Sequence, residues 1–173
     1  MKLLLAVVSI VSFITIFAKA QTRQVGGKDV SARQYPFVAV IAFTRQLVGN
    51  GAIITPKWIL TSASAVYHSP DSEYNIGLGT DDFHSKADWH EVLKVLRYPE
   101  FVGWDNNIAM VQLRGTIKYS DTVQPINIAT TFPETVEVTM LSYGKNEHDT
   151  THLRAATYTL ISDNVDCVGL LKE

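Results

Sequence analysis

Side chains able to ligate a metal or carry a proton near neutral pH are few in this chain. Histidines stand at 68, 84, 90, 148 and 152, and the single cysteine is Cys167. Only His148 and His152, with Asp149 between them, have the i, i+4 spacing by which two imidazoles on one helix face share a zinc ion. A zinc site of that kind needs a helix under both rings and at least one further ligand. The pair lies instead in a Thr-rich loop sequence with no third ligand beside it. The expectation is no metal and no cofactor, with His84, His90, His148 and His152 on the surface. A lone thiol needs its own account where cysteines are normally paired. Cys167 is either buried and inert, cross-linked to a partner, or separated from an intramolecular partner.

The elements that must position these groups begin after an address segment. Lys2 supplies a positive start, Leu3 to Phe17 is an almost unbroken apolar run, and Ala18-Lys19-Ala20 fits the small-x-small pattern of a cleavage site. A span of the hydrocarbon core needs about 20 apolar residues, and this run stops short of that before Lys19. The reading is a signal peptide over residues 1–20, a chain starting at Gln21, and a secreted, extracellular product without a membrane anchor. The whole chain has 173 residues, 46% hydrophobic and 18% charged, with fifteen basic against seventeen acidic residues and a net charge of −2. That is a globular composition. No block of basic residues offers a stripe to phosphates, so nucleic acid is excluded as a partner.

Short segments rich in Val, Ile, Thr and aromatics read as strands over Phe37–Phe43, Gly51–Ile54, Trp58–Thr61, Glu91–Tyr98, Ile108–Leu113, Glu134–Leu141 and Leu153–Ile161. Turn sequences such as Ser69-Pro70-Asp71 and Gly79-Thr80-Asp81-Asp82 separate them. The spacing predicts an all-β sandwich or barrel. One helical turn is expected over Asn164–Leu170, capped by Ser162 or Asp163.

Four segments resemble the trypsin/chymotrypsin-like serine proteases, in order and at similar spacing. Arg23-Gln24-Val25-Gly26-Gly27 is similar to a zymogen activation sequence, and Tyr35-Pro36-Phe37 follows it as in the family. Gly51 to Val66, GAIITPKWILTSASAV, resembles the segment that ends in Ala-Ala-His-Cys. Tyr98-Pro99-Glu100-Phe101 and Trp104 to Leu113, WDNNIAMVQL, resemble His-Pro-x-Phe and Tyr-Asp-Asn-Asp-Ile-Ala-Leu. Ser120 to Ile126 continues the match. The resemblance implies a double β-barrel with the first barrel complete over 24–126 and the second partial over 127–173.

The same resemblance implies that the catalytic positions have changed. A Ser-His-Asp triad works because a neutral imidazole accepts the serine proton while a buried carboxylate holds that ring in the right tautomer. The histidine position is Ser64, a hydroxyl that cannot act as a base near neutral pH. The aspartate position is Asn107, which carries no charge; in an active relative this exchange alone costs about 10⁴ in turnover. The Gly-Asp-Ser-Gly-Gly segment of the nucleophile does not occur in the sequence. His68 is one helical turn beyond Ser64, a displacement of about 5–6 Å where a proton acceptor must lie within about 3 Å. It is expected to be a solvated loop residue beside Ser69-Pro70. Ser64 and Asn107 are expected to satisfy backbone hydrogen bonds.

Other implied features are altered too. The disulfide that flanks the family's catalytic histidine falls on Gly49 and Ala65. Thr80 stands where a calcium-ligating glutamate is expected. Cleavage between Arg23 and Gln24 would free a short peptide without switching on a site. The expected function is therefore binding: a decoy, cofactor or adaptor toward secreted proteins, among them active proteases or their substrates, with self-association through the partial second barrel. The alternatives are an active serine endopeptidase seen as a partial sequence and a decaying duplicate with no stable fold.

Overall fold

The computed structural model describes residues 27–130, 137–144 and 151–159. Arg23, Gln24, His148, Asp149, Cys167 and the helical turn expected over Asn164–Leu170 lie outside the described residues. Among the described residues nine strands follow in chain order: β1 (Lys28–Asp29), β2 (Val38–Phe43), β3 (Gln46–Thr55), β4 (Trp58–Thr61), β5 (Tyr74–Leu78), β6 (Asp88–Arg97), β7 (Ala109–Leu113), β8 (Glu137–Ser142) and β9 (Arg154–Thr159). Strands β2-β3-β4-β7-β6-β5 close into a barrel, and β1-β9-β8 form a separate antiparallel sheet. The all-β expectation holds, with one closed six-stranded barrel and a partial second sheet.

The patterning explains which strand faces what. β7 alternates cleanly, with Ala109, Val111 and Leu113 buried and Met110 and Gln112 half-buried, as a strand with one face on a core must. β6 breaks that period: its buried residues Val92 and Val95 are an odd number apart. A register shift between Val92 and Lys94 supplies the extra residue that returns Val95 to the inner face. β2 shows no alternation because both its faces are covered. Ala39 and Ile41 enter the barrel core with Ile53, Ile59, Ile76 and Val111. Val38 and Val40 join a second cluster with Val30, Tyr143, Leu153 and Ala155. An apolar strand shared by two cores is the expected reading of an unbroken hydrophobic run.

Polar bonds fix the small sheet to the barrel around buried Tyr143. Its hydroxyl donates to the Thr80 carbonyl at 2.6 Å, and its backbone N–H donates to Asn50 Oδ1 at 2.9 Å. Leu153 N–H donates to the Asp81 carbonyl at 2.7 Å. Burial, reinforced by the nearby Asp81 charge, pushes the Tyr143 phenol far above its ordinary range, so the hydroxyl stays a donor. Among the described residues, no helix is long and apolar enough to cross a membrane.

Candidate functional site

The antiparallel register brings together Ser64 and Asn107, the positions at which the resemblance implies a histidine and an aspartate. Thr61 at the end of β4 is paired with Ala109 at the start of β7. The chain leaving β4 therefore meets the chain entering β7 at one mouth of the barrel. Ser64 sits in the 3-10 turn Ala63–Val66, whose Ala63, Ala65 and Val66 are buried while Ser64 is half-buried. Small residues on both sides of Ser64 let the turn press onto the barrel end.

Ser64 and Asn107 are joined by two hydrogen bonds. The backbone N–H of Ser64 donates to Asn107 Oδ1 at 2.8 Å, and Asn107 Nδ2 donates to Ser64 Oγ at 3.0 Å. The backbone donor fixes which way the amide points, since only its oxygen can accept there. Ser64 Oγ donates its own hydrogen bond to Ser62 Oγ at 3.3 Å. The result is a chain of neutral groups running from Asn107 through Ser64 to Ser62, with no group that titrates near neutral pH. None of these bonds reaches a histidine. Ser62 was not a sequence candidate, and only its hydroxyl two residues before Ser64 could have signalled its place in the chain.

His68 differs from its expected place. It is half-buried, with its ring stacked on Phe43 at 4.8 Å and 21° and tilted against Tyr67 at 4.1 Å. Its loop is tied down as well: His68 N–H donates to Tyr74 Oη at 2.7 Å, and Arg97 holds the carbonyls of Val66 and His68 at 2.6 and 3.2 Å. Asp71 accepts from the same guanidinium at 3.3 Å. Aromatic stacking and this backbone clamp hold His68 half-buried against the barrel. The bonds of the Ser64–Asn107 chain do not include it. His90 also departs from a surface reading, because its side chain is 13% exposed and Nε2 lies 3.0 Å from Asp88. His84 is exposed as expected, and His152 lies on the surface between Asp29 and Asp82 at 3.5 and 3.7 Å.

The implied disulfide and calcium positions can be read directly. A Cβ placed on Gly49 would lie 2.5 Å from the Ala65 Cβ, so the two positions do face each other. They stand closer than the roughly 3.8 Å that separates the Cβ atoms of a disulfide. Thr80 is 3% exposed and its hydroxyl donates to the Asp82 carbonyl at 2.7 Å. It closes a turn where a carboxylate ligand was implied. Among the described residues, no group of three or more His, Cys, Asp or Glu could hold a metal ion.

Sequence reasoning missed the surface beside this mouth. Val102 and Asp105 exchange backbone hydrogen bonds at 3.3 and 3.0 Å, and Asn106 Nδ2 donates to the Glu100 carbonyl at 3.1 Å. Gly103, at φ +61°, lets the chain reverse there. This braced loop displays Trp104 at 85% exposure, next to Val102 at 74%, while Tyr67 beyond Ser64 is 62% exposed. A tryptophan in a Gly-Trp-Asp turn was the available signal.

Comparison with known proteins places this geometry in context. The family described as Trypsin matches residues 24–172. Achelase-1 of Lonomia achelous is 28% identical over 107 residues, covering 61% of this chain and 50% of the relative. Neuropsin, a serine protease expressed in the limbic system of mouse brain, superimposes with a TM-score of 0.72 at 18% identity, over 82% of this chain and 66% of that one. The scabies mite inactivated protease paralogue S-D1 does so with a TM-score of 0.73 at 20% identity, over 80% and 63%. The match thus spans about half the length of the sequence relative and under two thirds of the second structure.

Proposed function

This chain belongs to the trypsin family of serine proteases, and we propose that it is a secreted member that has given up catalysis and acts by binding other secreted proteins. The observation that carries the reading is the hydrogen-bond chain Asn107–Ser64–Ser62. Acyl transfer by the family's route needs a base to take the nucleophile's proton and a charge to stabilise the cation so formed. Ser64 supplies no base and Asn107 no charge, and each satisfies the other. The name of the scabies mite protein pairs this fold with an inactivated protease, so the fold does not require turnover.

Binding is favoured by what surrounds the silent pair. Trp104 and Val102 stand exposed on the braced turn Val102–Asp105, and Tyr67 stands exposed three residues beyond Ser64, side chains of the kind that anchor interfaces. Lys2, the apolar run Leu3 to Phe17 and Ala18-Lys19-Ala20 support the secreted reading. Such a protein serves as a decoy, cofactor or adaptor toward active proteases or their substrates.

A second reading, an endopeptidase of which this chain is one part, draws support from the length of the relatives. It needs a nucleophile supplied by further sequence, and it still lacks a base at position 64. One experiment separates the two: intact mass of the native secreted protein, followed by fluorogenic peptide assays with Arg, Lys and aromatic residues before the scissile bond. The expected result is no turnover above buffer. Turnover blocked by a serine-directed inhibitor overturns the non-catalytic reading.

A further inference from the structure

We propose that the cleft beside the end of β5, on a different face of the chain's chemistry from Ser64 and Asn107, binds an oxyanion carried by an acidic peptide segment. The cleft has a volume of about 430 Å³. Leu78 and Val123, 1% and 4% exposed, form its apolar base, while Ser120, Thr122, Lys86 and Lys118 line its sides. Gly79 stands in its wall. At φ +67° this residue turns the chain after β5, and a Cβ there would meet Thr122 Oγ1 and Val123 Cγ2 at 3.0 Å.

The charges around the cleft are unequally occupied. Asp88 lines it too, but its carboxylate already accepts from His90 at 3.0 Å. Asp121, in the turn that carries Ser120 and Thr122, is paired with Arg33 at 3.0 Å. Lys86 and Lys118 have no hydrogen bond or ion pair among the described residues. Asp88 keeps its negative charge, so the lining carries an excess of one cation, in a chain whose overall charge is −2.

The hydroxyls complete a donor set. The turn Ser120–Val123 is closed by reciprocal backbone bonds of 2.9 and 3.3 Å, and Thr122 N–H donates to Ser120 Oγ at 3.3 Å. Ser120 Oγ and Thr122 Oγ1 are 3.4 Å apart. One hydroxyl proton fills that contact and the other is free for a ligand. Two lysines and a hydroxyl donor around an apolar base suit a carboxylate or sulfate on an aliphatic stem, because charged acceptors form the stronger hydrogen bonds.

The test is calorimetric titration of the full secreted chain with a short peptide carrying two glutamates between leucines, its glutamine counterpart, and inorganic sulfate. The glutamate peptide should bind at least tenfold more tightly than the glutamine peptide. Lys86→Gln and Lys118→Gln should each weaken it by about tenfold, the effect of one charge-assisted hydrogen bond. Lys28→Gln and Lys57→Gln, exposed lysines outside the cleft, should change affinity by less than about twofold. Competition by sulfate identifies a general oxyanion site, and failure of sulfate to compete identifies the peptide carboxylate as the ligand. The proposal is overturned by absence of glutamate-peptide binding, by equal binding of the glutamine peptide, or by equal losses in the control variants. Because no arm measures turnover, these outcomes are independent of the catalytic state of Ser64 and Asn107.

Discussion

In the barrel every strand has two hydrogen-bonded neighbours, whereas in β1-β9-β8 the outer edge of β8 has no strand partner among the described residues, and β1 covers only Arg154 and Ala155 of β9. The barrel also owns its core: Ile41, Ile53, Ile59, Ile76 and Val111 pack on one another inside it. The small sheet borrows its core from the barrel, through Val38 and Val40 on the outer face of β2. Closure removes edges and makes a unit whose stability is shared around the ring. The attached sheet depends on one apolar seam and on the polar bonds around Tyr143. Ser64 and Asn107 belong to the first kind of structure, because both residues sit at a barrel mouth fixed by the β4–β7 register.

The largest effect that would break this contrast is in the ring. Ile53 is fully buried in the barrel core, and Ile53→Ala should cost about 2–5 kcal/mol through lost burial and the cavity left behind. Chemical denaturation should show the whole transition moving, including probes on β8 and β9. If β8 and β9 unfold at an unchanged midpoint, the sheet does not depend on the barrel. Next in size is the seam. Tyr143→Phe keeps the ring but leaves the buried Thr80 carbonyl without its 2.6 Å donor, a cost of about 1–3 kcal/mol. Amide hydrogen exchange should rise first in β8 and β9, with β4 and β7 little affected. Equal loosening of β4 and β7 would show one cooperative unit.

A smaller effect lies in a turn that also shows what was legible. β2 joins β3 through Thr44 and Arg45, both at positive φ, 48° and 66°. Two-residue hairpins of this kind favour Asn-Gly, and a β-branched residue there is strained. Thr44-Arg45→Asn-Gly should stabilise the chain by about 1 kcal/mol, read as a higher denaturant midpoint. No gain would mean the barrel closes regardless of its tightest turn. Because Thr-Arg does not read as a turn, the expected strand started at Gly51, while β3 starts at Gln46.

The same logic accounts for the rest. β5 was missed because Tyr74-Asn-Ile-Gly-Leu78 mixes Asn and Gly into a strand buried by its neighbours. β1 was missed because two residues carry no period. The strands over Trp58–Thr61 and Ala109–Leu113 were legible from composition and alternation. Ser64 and Asn107 were legible only by resemblance, and their mutual hydrogen bonds not at all, since the register that pairs them spans two strands. The cleft at Lys86 and Lys118 joins segments far apart in sequence, so nothing local announces it.

The finest probe of the seam is its charge. Asp82 lies at the junction, in an isolated bridge with His152. Burial raises its carboxyl pKa, but the Thr151 hydroxyl, the His84 N–H and the charges of His152 and His84 outweigh that and hold it below the ordinary value. A carboxylate whose folded pKa is depressed stabilises the native state above its unfolded pKa, near 3.8. That contribution disappears as pH falls through the lower folded value. The native protein should therefore lose more stability between pH 7 and pH 3 than Asp82→Asn, which keeps an acceptor for Thr151 and His84 but cannot titrate. The measurement is the urea midpoint of both proteins at each pH, with exchange of the Leu153 and Phe83 amides, which donate to Asp81 and Thr151 across the junction. Faster exchange of these two amides at pH 3, with β4 and β7 protected, means the sheet loosens from an intact barrel. Equal pH dependence in the two proteins would remove Asp82 from the seam and leave Tyr143 and the apolar contact to hold it.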